Sequence, residues 1–275
     1  MKGLSLLAAT VAILAATSAF ADNKLNLKTE GELRVLINPI YPPMEFVNQK
    51  SGVQDGFDVD LANAIGKKLG LEVIFINSAF AELQSGLQTG RGDVIISGMS
   101  DNPKRQEVMD FVDYITSGPI FFTTKANADK YKTSTDLCGQ KIAGSRTGTF
   151  PDNVKAWSES NCVGKGKPAV QFDGTADSNA ARLGMRQGRY DAVVQGVETI
   201  AYQMSVEPDT YVMVGEPILT NDVFGMGFKK SNTALRDAVA QTLDGLIKDG
   251  TYADLLKKWG LNHNAVEKAV INGVK

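Results

Sequence analysis

Two stretches of this chain follow the same pattern. Leu87-Gln-Thr-Gly-Arg-Gly-Asp-Val-Ile-Ile-Ser-Gly98 and Met185-Arg-Gln-Gly-Arg-Tyr-Asp-Ala-Val-Val-Gln-Gly196 each read as a helix end, a capping glycine, an arginine, an aspartate, a buried apolar strand and a second glycine. Helix–glycine–strand units are common, so a chance likeness of two β/α units stays open. The shared positions of Gly-Arg-x-Asp and of the final glycine favour two lobes of like construction. Alternating strands and helices imply parallel β/α units with right-handed crossovers. Ligands of open α/β sheets sit beyond the carboxyl ends of the strands. Two facing lobes of this kind would line one cleft with Gly98 and Gly196. The expected fold class is α/β, two-lobed, each lobe a β-sheet flanked by helices, with two strand-like hinge connections.

The first of these stretches runs on into Met-Ser-Asp-Asn-Pro-Lys-Arg105. Asp93 to Ser97 is a short apolar run with β-branched residues, as in a strand buried on both faces. Pro103 suits the first turn of a helix, where its missing N–H costs nothing. A buried strand would thus deliver a glycine, the Ser100 hydroxyl, a helix start and the Arg105 guanidinium to one place. Helix starts attract anions, and an arginine fork matches a carboxylate. The stretch reads as a seat for a small carboxylate. A surface loop with Arg105 paired to Asp101 or Glu107 fits these residues as well.

The N-terminus predicts export. Met1-Lys2 is basic, Leu4 to Ala16 is apolar, and Ala19-Phe20-Ala21 is a small-x-small cleavage site, so residues 1–21 read as a signal peptide. The apolar stretch is short for a membrane span, and a periplasmic location is expected. A net charge of −2 with no basic tract argues against nucleic acid and anionic membranes as partners. Cys138 and Cys162 are the chain's two cysteines. In an oxidising compartment they predict a disulfide, which would contribute on the order of 3 kcal/mol by closing its loop. The single histidine, His263, argues against a histidine-based triad or metal centre, and no cofactor is expected.

In chain order, strands are expected over Glu32 to Asn38, Leu71 to Asn77, Asp93 to Ser97 and Ile120 to Lys125. Further strands are expected over Lys141 to Ser145, Ala169 to Phe172, Tyr190 to Gln195, Tyr211 to Val214 and Val223 to Phe228. Helices are expected over Gly56 to Gly70 with Asp58 as N-cap, Phe80 to Thr89, Asp152 to Ser160, Thr233 to Lys248 and Tyr252 to Trp259. Residues 39–43 form a stiff proline-rich loop carrying Tyr41. The first crossing between lobes is placed near Thr123. Lobe 1 is then discontinuous, 22–122 and 220–275, with lobe 2 at 123–219.

With these residues in view, the chain resembles the family 3 periplasmic solute-binding proteins of ABC importers, those for polar amino acids. The likeness is carried by Gly56-Phe-Asp-Val-Asp-Leu61, Ser97 to Arg105, Asp110-Phe-Val-Asp-Tyr114, Gly148-Thr149, Tyr190-Asp-Ala-Val-Val194, Gly250-Thr-Tyr252 and Lys258-Trp-Gly260. It implies the type II two-lobed periplasmic binding fold and a non-enzymatic role: binding an amino acid or related carboxylate and handing it to the transmembrane subunits of an ABC permease as a monomer. By that resemblance Arg105 and Ser100 hold the ligand carboxylate, and the Gly98 carbonyl accepts from its ammonium. Tyr41 and Phe80 sandwich the side chain, Arg146, Thr149 and Phe150 meet the ligand on closure, and Asn38 contributes a polar contact. Ser97 and Gln195 complete the expected site. One position departs from the pattern: the aspartate that usually pairs with the ammonium is here Gly196, with Glu198 two residues on as a possible substitute. Two other readings stand beside transport. One is a periplasmic dehydratase acting on cyclohexadienyl acids, with Asp101, Glu198 or Glu45 as general acid. The other is a ligand sensor for a chemoreceptor.

Overall fold

Gly118 is where the chain leaves one sheet for another. The computed structural model describes residues 25–219 and 222–275, so the expected signal peptide lies outside the described residues. Chain order begins with β1 (Glu32–Ile37), β2 (Ile40–Tyr41), β3 (Glu45–Val47), β4 (Gln54–Asp55), α1 (Phe57–Leu69) and β5 (Glu72–Asn77). A 3-10 turn (Phe80–Glu82) leads into α2 (Leu83–Gln88), followed by β6 (Val94–Ile95), α3 (Pro103–Gln106) and β7 (Met109–Ser117). Then come β8 (Pro119–Thr124), β9 (Lys141–Ser145), α4 (Phe150–Asn161), β10 (Gln171–Thr175), α5 (Ser178–Arg186), β11 (Ala192–Gly196), α6 (Val197–Val206) and β12 (Tyr211–Val214). The chain closes with β13 (Asp222–Lys229), α7 (Thr233–Lys248), α8 (Thr251–Trp259) and β14 (Val270–Ile271).

The strands form a six-stranded sheet in the order β14-β7-β13-β6-β1-β5, a five-stranded sheet in the order β10-β9-β11-β8-β12, and a small sheet β2-β3-β4. β1 runs parallel to β5 and β6, and β9 runs parallel to β10 and β11, so each large sheet has a β/α nucleus as the alternation predicts. Each large sheet is covered on both faces. In the first, α1, α7 and α8 bury Leu61, Ile65, Leu235, Leu243 and Leu256 on one side, while Leu83 and Leu87 of α2 close the other. In the second, Ala181, Met185 and Ile200 pack on one side and Val154 with Trp157 on the other.

The crossing differs from its expected place. β7 ends in the first sheet at Ser117 and β8 begins in the second at Pro119, so residues 119–122 belong to the second sheet, not the first. The apolar run Ile120 to Phe122 gives no sign of which sheet it joins, because both sheets are fully covered. The returning chain lies against the crossing: Ile218 N–H donates to the Pro119 carbonyl at 2.8 Å, and Asp222 pairs with Ser117. A Cβ at Gly118 would stand 2.9 Å from the Leu219 carbonyl oxygen, so the two connections approach this closely only over a glycine. Cys138 and Cys162 are joined, tying the segment before β9 to the end of α4.

Candidate functional site

Gly98 lies three residues past β6 of the first lobe with φ +47, a left-handed conformation that side chains rarely adopt. It packs under Tyr41, whose ring would lie 3.4 Å from a Cβ there. Its N–H donates to Asp58 Oδ2 at 2.9 Å, and the Tyr114 hydroxyl donates to the other oxygen at 2.8 Å. Asp58 is therefore not the N-cap of α1. That cap is Gly56, and the buried Asp58 carboxylate instead fixes the floor of the site. Ser97 accepts from the Asn38 N–H at 2.9 Å and donates to Glu45 Oε1 at 2.9 Å, joining the end of β1 to β3.

Arg105 enters from α3. Asn102 caps that turn by accepting from the Arg105 N–H at 2.9 Å, with Pro103 at its start as expected. The guanidinium donates to the Ser100 carbonyl at 2.7 Å and lies 5.7 Å from the centre of the Phe80 ring. Neither Asp101 nor Glu107 lies within ion-pair distance of it among the described residues. Asp101 is occupied by the Gln106 amide and the Val274 N–H. Burial lowers the Arg105 pKa, and Asp222 and Asp101 nearby oppose that.

These groups face a cavity of about 340 Å³ between the lobes. From the first lobe Asn38, Tyr41, Phe80, Ser97, Gly98, Ser100 and Arg105 line it, and from the second Thr149 and Phe150. The N-termini of α4 and α5 both reach its wall, through Thr149 and Ser178, and present partly positive helix ends to it. Residues 33–262 match bacterial extracellular solute-binding proteins, family 3.

The chain belongs to that family. L-cystine-binding protein TcyJ of Escherichia coli (strain K12) is 30% identical over 256 residues, covering 90% of this chain and 91% of that protein. Among solved structures, an ancestral arginine-binding protein bound to arginine superposes with a TM-score of 0.74 at 31% identity, over 83% of this chain and 98% of that one. The ancestral amino acid-binding protein AncCDT-1, a precursor of cyclohexadienyl dehydratase, superposes at 0.71 with 31% identity, over 83% and 95%. This solute-binding protein has the same type II, two-lobed α/β fold as these neighbours.

Two expected contacts of the solute-binding protein do not reach the cavity. Arg146 is exposed at the end of β9, its N–H bonded to the Thr175 carbonyl, outside the lining. Gln195 is wholly buried with neither amide atom hydrogen-bonded among the described residues, on the same strand face as Val193 and away from the lining. Six polar residues that sequence reasoning left out of the site do line it: Ser117, Ser145, Thr147, Asp177, Ser178 and Asp222. Glu45, considered only as a proton donor, lines it as well, 1% exposed and with Oε2 free of any hydrogen bond among the described residues.

The departure at Gly196 has a structural answer. A Cβ built there would collide with Glu198 Oε1, so the Glu198 carboxyl fills the space a side chain at 196 would take. Glu198 is 3% exposed and accepts from the Ser117 hydroxyl at 2.8 Å and from the Tyr41 hydroxyl at 3.5 Å. The Gly196 N–H donates to the same Tyr41 oxygen at 3.1 Å, so Tyr41 spans the cleft from the first lobe to the second. Burial, opposed by the Ser117 and Tyr41 hydrogen bonds and aided by Asp222, brings Glu198 up to about 7. Glu45 is pushed well up by burial and by Asp58 beside it.

Proposed function

We propose that this solute-binding protein is the periplasmic receptor of an ABC importer for an amino acid or amino-acid-like carboxylate. One observation carries the reading: Arg105 lines a cavity between two lobes, half-buried, with no carboxylate within ion-pair distance among the described residues. A guanidinium held this way favours a bidentate carboxylate guest. The relatives named above bind cystine and arginine, in keeping with an amino acid here. Lobe 1, comprising residues 25–117 and 222–275, docks the ligand through Arg105, Ser100 and the Tyr41 and Phe80 rings. Lobe 2, residues 119–219, closes over it with Thr149 and Phe150, turning about Gly118 and the segment that returns at Asp222. A ligand drives closure only through contacts the closed state adds. The permease would read the closed form.

The test is calorimetric titration of the twenty L-α-amino acids, first into wild type and then, with each binder found, into Arg105→Ala. Removing one partner of a desolvated charge pair should weaken binding by about a hundredfold or more while the circular dichroism spectrum is unchanged. Equal affinity in the variant would take Arg105 out of the site.

One observation favours a second reading, a cyclohexadienyl dehydratase-like enzyme. Glu198 and Glu45 are buried carboxyls with raised pKa values beside the cleft, as general acids require. Asp101, the third candidate, is tied up with Gln106 and Val274 away from the lining. Turnover of prephenate or arogenate that is lost in Glu198→Gln would establish the enzyme.

A further inference from the structure

Arg105 and Asp222 stand on either side of Ser100. The guanidinium holds the Ser100 carbonyl at 2.7 Å, and the Ser100 hydroxyl donates to Asp222 Oδ2 at 3.4 Å. Both side chains line the cavity, so a cation site and an anion site lie next to one another on its wall. Asp222 is 7% exposed, that single long hydrogen bond is its only side-chain partner among the described residues, and no cationic group lies within 4.0 Å of it. A carboxylate so deeply buried and so poorly satisfied is costly unless a cation joins it. Burial brings Asp222 up to about 6, with Arg105 and Ser100 opposing.

A second carboxyl stands behind it. Ser117 pairs with Asp222 across β7 and β13 and donates its hydroxyl to Glu198 on the other lobe. The two acids therefore meet at the hinge, one on the returning strand and one at the start of α6. The other groups facing them are Arg105 from α3, beside Asp222, and Tyr41 and Glu45 from the β2–β3 hairpin, beside Glu198. Glu45 is the weaker candidate for an anion, since burial and Asp58 press it toward its protonated form. No three acidic, histidine or cysteine side chains among the described residues converge closely enough to hold a metal ion. The cation that fits is an organic one.

We propose that Asp222, backed by Glu198, seats the ammonium group of the ligand, so that Arg105 and Asp222 together select an α-amino acid over other carboxylates. The assignment rests on the receptor reading and deepens it. It places the ammonium partner at the start of β13, on the hinge strand, and not on the strand end at Gly196. A cation arriving there favours the ionised forms of Asp222 and Glu198, so binding releases protons wherever these groups are partly protonated.

The experiment uses the whole exported chain. The twenty L-α-amino acids at 1 mM are screened by thermal shift, and each binder is titrated alongside the same molecule lacking its α-ammonium group. Wild type is expected to prefer the amino acid by about a hundredfold. Asp222→Asn should lose about that factor for the amino acid and leave the deamino carboxylate unaffected. Glu198→Gln should lose a smaller factor. Titration at pH 6.5 in buffers of different ionisation enthalpy should show proton release by wild type, fading at pH 8.5 and reduced in both variants. Unchanged preference in Asp222→Asn, or in Glu198→Gln together with unchanged proton release should the first variant not fold, overturns the assignment while the receptor reading stands. Failure of every amino acid to bind wild type overturns both.

Discussion

Burial and the neighbouring Asp222 hold the Glu198 carboxyl up to about 7, against an ordinary value of 4.5. Its proton is bound more tightly in the folded chain than in the unfolded one. The resulting stability is present below pH 4.5 and is lost as pH rises through 7, by on the order of 3 kcal/mol for this group. Asp58 and Asp222, each raised to about 6 chiefly by burial, act in the same direction. The ligand-free protein should therefore melt at a higher temperature at pH 5.5 than at pH 8. Glu198→Gln should be more stable than wild type at pH 8 and not at pH 5.5. A stability difference between the two proteins that does not change with pH would remove Glu198 as a buried acid. At this scale the sequence was legible where one short segment carried the chemistry, as in Ser97 to Arg105. It was not legible for Asp222, which is more than a hundred residues from Ser100 and reaches it only because the chain returns to the first sheet. Asp58 was misread for a related reason. An aspartate near a helix start looks like a cap, and nothing local shows that the Gly98 N–H and the Tyr114 hydroxyl converge on it.

Among the elements, α3 has four residues, too few to be stable by itself, yet it carries Arg105. It is anchored through Gln106, whose amide donates to Asp101 Oδ1 at 2.8 Å and to the Val274 carbonyl at 2.8 Å. β14 pairs with β7, and the Gly273 N–H donates to Asp113, so the last residues of the chain brace the arginine's turn from behind. Removing residues 270–275 should weaken amino-acid binding as well as lower the melting temperature. A truncated chain with wild-type affinity would make the tail a stabilising strand and nothing more. The disulfide acts on the other lobe. It spans 24 residues, and the variant with Ser at both 138 and 162 should lose on the order of 3 kcal/mol, measurable as a shifted denaturant midpoint with unchanged slope. The helices and parallel strands of both lobes were readable from periodicity, because each sheet is covered on both faces and its strands are continuous apolar runs. The same property hid the crossing. A run buried on two faces carries no mark of which sheet it belongs to, so Ile120 to Phe122 read equally well in either.

For the whole molecule, the position of the lobes is a balance between closed-state contacts and the freedom of the open form. Tyr41 bridges the cleft, accepting from the Gly196 N–H at 3.1 Å and donating toward Glu198 at 3.5 Å. Each hydrogen bond of this kind contributes about 1 kcal/mol net. Tyr41→Phe keeps the ring over Gly98 and removes both, which should shift the ligand-free population toward open forms by about thirtyfold. Small-angle scattering of the ligand-free variant should then give a larger radius of gyration than wild type, and saturating amino acid should bring the two curves together. Affinity should fall by a similar factor, because the ligand must now close the lobes without that help. If the variant instead scatters like wild type without ligand and binds as tightly, the Tyr41 bridge does not set the closing equilibrium. The closed form would then depend on the contacts around Gly118 and on the second lobe's Thr149 and Phe150.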